Sequence, residues 1–105
     1  GKETRDFIYI SDLVQAIACI VQKADFKGEV INVANGEELS IEKVATIFYQ
    51  LANEKVTVNF GGEERKGDPN NWLADISKLL QLGYQQKTSI EEGLLNYVKW
   101  LKEQE

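Results

Sequence analysis

The sequence predicts a small α/β domain with about three short strands and four helices. Three observations carry that prediction. Short runs of apolar, β-branched and aromatic residues alternate with stretches whose apolar residues recur at helical spacing. Turn formers such as Lys27-Gly28-Glu29, Asn35-Gly36 and Gly61-Gly62 stand at the junctions. Serines precede the helical stretches where N-caps belong. With 105 residues, no repeat and no linker, residues 1–105 read as one domain.

In chain order, Phe7-Ile8-Tyr9-Ile10 reads as the first strand. Ser11 is the expected cap of the first helix, with Asp12 favoured in its first turn by the helix dipole. Leu13, Ile17, Ile20, Val21 and Ala24 then form one apolar stripe, expected to be buried. Cys19 within it reads as a small apolar side chain. Val30 to Ala34 is the second strand, apolar at four of its five positions, as suits a strand covered on both faces. Ser40 caps a helix whose apolar residues are Ile41, Val44, Ala45, Phe48, Leu51 and Ala52. Val56 to Phe60 alternates as a third strand. Asp75 is the expected cap of a short helix with Ile76, Leu79 and Leu80, closed by Gly83. Ser89 and Glu92 have capping-box spacing ahead of a last helix that buries Ile90, Leu94, Tyr97, Val98 and Leu101.

Composition removes several function classes. A net charge of −5 argues against nucleic acid, whose binding rests on cations that neutralise phosphates. No apolar run is long enough to span a membrane, and no leader pattern is present. A single cysteine forms no internal disulfide, which fits the cytoplasm. There is no histidine, no Gly-rich phosphate loop, no paired-ligand metal site and no nucleophile beside a base.

What remains is the loop Glu64-Arg65-Lys66-Gly67-Asp68-Pro69-Asn70-Asn71-Trp72, which holds the chain's only proline. A guanidinium is a planar fork of donors that fits phosphate oxygens bidentately. An aspartate accepts from both hydroxyls of a ribose, and Gly67 between the two lets backbone approach a ligand. Arg65 and Asp68 therefore suit a nucleotide, although charged loop residues are more often merely solvated. Arg5, ahead of the first strand, either pairs with a neighbouring acid at the surface or converges with Arg65 on a diphosphate.

Taken together, six motifs in order resemble one family. They are Thr4-Arg5-Asp6-Phe7-Ile8-Tyr9-Ile10-Ser11-Asp12-Leu13, Val30-Ile31-Asn32-Val33-Ala34-Asn35-Gly36, Arg65-Lys66-Gly67-Asp68, Ala74-Asp75-Ile76-Ser77-Lys78, Leu82-Gly83-Tyr84 and Thr88-Ser89-Ile90-Glu91-Glu92-Gly93-Leu94. Each is weak singly, but their order, from about Gly1 to Trp100, is specific. The chain resembles the C-terminal, substrate-binding part of the NAD-dependent epimerase/dehydratase family, the extended short-chain dehydrogenases/reductases, and is similar to UDP-glucose 4-epimerases.

The resemblance implies that Arg5 and Arg65 contact the diphosphate of a UDP- or dTDP-type sugar nucleotide, and that Asp68 bonds its ribose. It places Trp72 near a position that 4-epimerases set beside the hexose, although a loop anchor is the simpler reading. Asn32 is implied to tie down a neighbouring turn, and Asp6, Asp75 and Ser89 to serve as caps or turn residues. The family often has tryptophan-x-proline where this chain has Tyr84-Gln85-Gln86, a departure remote from the implied ligand. NAD, the dinucleotide-binding glycines and the catalytic tyrosine and lysine belong, by the same resemblance, to an N-terminal Rossmann domain. No Tyr-x-x-x-Lys occurs here, so no catalytic, cofactor-binding or metal-binding residue is expected in this chain, and it is expected to be inactive alone. Val30 to Ala34 is expected to be an open edge that joins the missing domain or self-pairs into an oligomer. Two other readings stay open: a non-catalytic dinucleotide-binding regulator of the same family, and a free-standing α/β interaction domain.

Overall fold

A computed structural model describes residues 1–105. Its elements are β1 (Thr4–Arg5), α1 (Ile10–Lys23), β2 (Leu39–Ser40), α2 (Ile41–Leu51), α3 (Ser77–Gln81) and α4 (Ile90–Glu103). β1 and β2 form one antiparallel ladder, with Thr4 opposite Ser40 and Arg5 opposite Leu39.

The mixed α/β class with four helices holds, but the strands lie elsewhere than expected. Residues 7–9, 30–34 and 56–60 belong to no ladder, and Ile10 opens α1 instead of closing a strand. Composition reports that a segment suits a pleated, half-buried surface; a strand also needs a partner. Ile8, Ile31 and Val33 do pack on a cluster of Ala16, Leu79 and Tyr84, so these segments cover one face, while Val30 and Asn32 stay exposed where cover on both faces was expected. The main-chain N–H groups of Val30 to Ala34 find no acceptor, so this segment is an unpaired stretch and not a strand of a sheet.

The N-terminal caps of α2 and α4 follow the sequence, and those of α1 and α3 do not. Ser40 Oγ accepts from Lys43 N and Ser89 Oγ from Glu92 N, each at 3.1 Å. Asp75, expected to cap α3, lies one residue ahead of the cap residue Ile76, and its Oδ1 accepts from Ser77 N at 3.0 Å in a local turn. Gly83, at φ +94, follows α3 where a left-handed residue is needed. Ser11 likewise does not cap α1; it lies inside the helix behind an extended Tyr9.

α1 turns a different face inward from the one expected. Asp12 and Ala16 are buried, and Ile20 packs on the cluster. Ile10, Val14, Ile17 and Val21 form an outward stripe, each at least 50% exposed. α4 packs on α2, with Val98 buried, while Tyr97 lies at the margin between Phe48 and a stacked Trp100.

The molecule is a slab of 48 × 37 × 19 Å. Its radius of gyration is 16.2 Å, against about 13 Å for a compact chain of this length. Its accessible surface is 7923 Å², against about 5,900 Å² for a folded monomer of this mass. The excess of roughly 2,000 Å² is the scale of one side of an obligate interface.

Candidate functional site

The site is built by hanging the loop at 61–75 on β1. Thr4 N donates to Asn70 O at 2.8 Å. Trp72 N donates to Thr4 Oγ1 at 3.3 Å, and Ala74 N to Asp6 Oδ2 at 3.3 Å. Arg5 Nη1 donates to Pro69 O at 2.9 Å. Three consecutive residues, Thr4, Arg5 and Asp6, thus hold the second half of a loop more than sixty positions away.

Asp6 is the anchor on the other side. Its two carboxylate oxygens accept from Asn35 N and Gly36 N, both at 2.9 Å, as well as from Ala74 N. Gly36 sits at φ +71, so this turn needs its glycine. Asn32 Nδ2 donates to Asp75 O at 3.2 Å, which ties segment 30–34 to the end of the same loop. Hydrogen bonds and nearby Lys78 hold the Asp75 carboxyl below the usual carboxylate range, the largest cause being the N–H of Ser77.

Between these attachments lies an open cleft of about 420 Å³, bordered by Arg5, Asp6, Asn32, Trp72 and Asp75. Arg5 is its cation, with its guanidinium 5.7 Å from the Trp72 ring centroid. Arg65 and Asp68 stand outside it, exposed at the loop tip in a turn closed by Asp68 N to Arg65 O at 3.1 Å. Gly67 in that turn has φ +95, a conformation that disfavours other residues. Neither Arg65 nor Asp68 makes a side-chain hydrogen bond or ion pair. Arg5 meets their loop at Pro69, one residue after Asp68. A second hollow of about 270 Å³, between Phe7–Ile10 and α4, is mainly apolar and offers no cation for a phosphate.

Sequence reasoning missed two residues that hold this arrangement. Thr4 ties the loop at Asn70 and Trp72. Asp12 is 1% exposed and accepts from Thr88 N at 3.0 Å and Lys87 N at 3.3 Å, fixing the entry to α4. Its spacing to Ala16 and Ile20 places an acid on the inward face of α1, a signal that an apolar count overlooks. Tyr84, in the adjoining core, donates to Asn35 Oδ1 at 2.5 Å. Burial, and after it the charges of Asp12 and Asp6, push its hydroxyl above the ordinary tyrosine range.

Residues 1–96 match the family of GDP-mannose 4,6 dehydratase. The chain belongs to that family. An uncharacterized UDP-glucose epimerase, YtcB, of Bacillus subtilis is 37% identical over 102 residues, covering 96% of this chain and 32% of that protein. The solved UDP-N-acetylglucosamine 4-epimerase of Methanobrevibacter ruminantium, in complex with UDP-N-acetylmuramic acid, is 33% identical with a TM-score of 0.87, covering 100% of this chain and 33% of that one. The UDP-glucuronic acid 4-epimerase of Bacillus cereus, in complex with UDP-glucuronic acid and NAD, is 33% identical with a TM-score of 0.81 over 96% of this chain and 33% of that one. This GDP-mannose 4,6 dehydratase family chain spans about a third of the length of the curated relatives it matches, and corresponds to their C-terminal portion.

Proposed function

We propose that this chain is the nucleoside-diphosphate-sugar-binding portion of an NAD-dependent sugar-nucleotide epimerase or dehydratase. The observation that carries the proposal is the attachment of Arg5 to the Arg65–Trp72 loop through Pro69. It fixes Arg5 of β1 to the loop that carries Arg65 at its tip and Asp68 three residues on. Arg5 and Arg65 take the diphosphate, Asp68 takes the ribose hydroxyls, and Trp72 borders the space beyond. Remote binding energy of this kind orients the sugar for chemistry elsewhere.

NAD would supply the redox chemistry of the whole enzyme. The residues here do not fit its pyrophosphate. That group wants free N–H donors at a helix N-terminus behind a glycine turn. α2 and α4 begin at serines that already accept from their own first turns, and α1 follows Tyr9 with no glycine near it. We therefore assign the cofactor, and the tyrosine and lysine that handle the proton, to an N-terminal Rossmann domain outside this chain. The roughly 2,000 Å² of excess surface, the unpaired stretch at Val30 to Ala34 and the outward stripe of α1 support docking onto such a domain. They disfavour the free-standing domain, which has no need of them. Without that domain, the chain self-associates through the unpaired stretch. No helix is long and apolar enough to cross a membrane. We place the protein in the cytoplasm, with no nucleic acid among its partners.

Titration with UDP tests the site, with Arg5→Ala and Arg65→Ala each expected to weaken binding. Turnover of any nucleotide sugar by the 105-residue chain with NAD would overturn the division of labour.

A further inference from the structure

The guanidinium of Arg5 is held on two sides. Nη1 donates to Thr4 O at 2.7 Å and to Pro69 O at 2.9 Å, which uses both of its N–H bonds. The indole of Trp72 lies beneath the group at 5.7 Å, inside cation–π range. The Nε and Nη2 donors have no partner in the chain, and Arg5 borders the cleft. The acids that share this cleft are already engaged: Asp6 by three N–H groups and Asp75 by Ser77.

Trp72 is itself fixed in place. Its N–H is bound to Thr4 Oγ1, and its neighbours Asn70 and Ala74 are pinned to Thr4 N and Asp6. Trp72 is 57% exposed, so burial does not account for a tryptophan at this position. An arginine side chain otherwise samples many rotamers, and a ring beneath the fork removes most of them.

We infer that Trp72 is a positioning residue for Arg5: its indole keeps the Nη1 edge on the Thr4 and Pro69 carbonyls and the opposite edge open toward a diphosphate. This rests on reading Arg5 as a diphosphate ligand. It differs from a contact with the hexose, because the effect is exerted at the phosphate end and is felt by a ligand with no sugar.

The test is a double-mutant cycle on UDP affinity, measured by calorimetry in the full-length protein. Trp72→Leu weakens UDP by roughly 2- to 25-fold. Trp72→Phe, which keeps an aromatic face, restores most of that affinity. In an Arg5→Ala background, Trp72→Leu has no further effect. Equal losses with and without Arg5, or a loss for UDP-glucose but none for UDP, overturn the inference. If Arg5→Ala leaves UDP binding unchanged, the diphosphate reading falls by itself. The Arg5 Nε–H resonance of the 105-residue chain then decides the positioning. A ring-current shift lost in Trp72→Leu supports it, and a resonance indifferent to that substitution overturns it.

Discussion

Arg5 Nη1 donates to the carbonyl oxygen of Pro69 at 2.9 Å, joining positions 64 apart in the chain. That bond turns an exposed loop into one wall of a cleft. It also separates two kinds of residue: those that hold the loop, and those that the loop presents.

Arg65 and Asp68 are presented. Neither has a side-chain partner, so replacing either leaves the fold intact while removing a proposed ligand contact. Arg65→Ala is expected to weaken UDP binding by roughly 10- to 150-fold, the equivalent of one charge-assisted hydrogen bond. The melting temperature is expected to stay within a degree or two of the parent value. Calorimetry beside a thermal melt checks both, and a large stability loss would mean that the loop tip is structural.

Asp12 is a holding residue. Asp12→Ala orphans the N–H groups of Lys87 and Thr88, and Thr88 is buried. The expected cost is about 2 kcal/mol, which lowers the melting temperature by roughly 10 °C in a domain of this size. Asp12→Asn keeps an acceptor oxygen and costs less. Equal melts for the parent and Asp12→Ala contradict the role.

Tyr84 supplies a pH dependence at the alkaline end. Its hydroxyl is raised above the ordinary value of about 10, first by burial and then by the charges of Asp12 and Asp6. Above that pH the unfolded chain releases this proton while the folded chain keeps it. The native state then binds more protons than the unfolded state, and stability falls as pH rises. Its contribution is complete below about pH 10 and is lost as pH climbs through the folded value. Tyr84→Phe gives up the bond to Asn35 Oδ1 but abolishes this part of the alkaline decline. Denaturant melts from pH 8 to 11 on both proteins read the difference.

The outward stripe of α1 predicts a split between the chain and the whole protein. Ile17 is 50% exposed, so Ile17→Glu changes the stability of the 105-residue chain by no more than about 0.5 kcal/mol. In the full-length protein the same charge falls inside the proposed docking face and lowers soluble yield and thermal stability. Loss of folding by the short chain places Ile17 in its own core and removes the argument.

Much of this was legible in the residues alone. Ser40, Ser89 and Gly83 act where their spacing puts them, because caps and left-handed turns are local interactions between neighbours in sequence. The motif order that pointed to the family was legible for the same reason. Ladder partners were not, because pairing is non-local: Thr4–Arg5 met Leu39–Ser40, while the better strand formers at 7–10, 30–34 and 56–60 stayed unpaired. The inward face of α1 was equally hidden, since Asp12 is buried only because Lys87 and Thr88 bring their N–H groups to it from the other end of the chain. The convergence of Arg5 with the loop also belongs to the tertiary structure. Chemistry in the sequence named Arg5, Arg65 and Asp68, and the family resemblance named Trp72, but only the fold could bring the Pro69 carbonyl and the Trp72 ring to the same guanidinium.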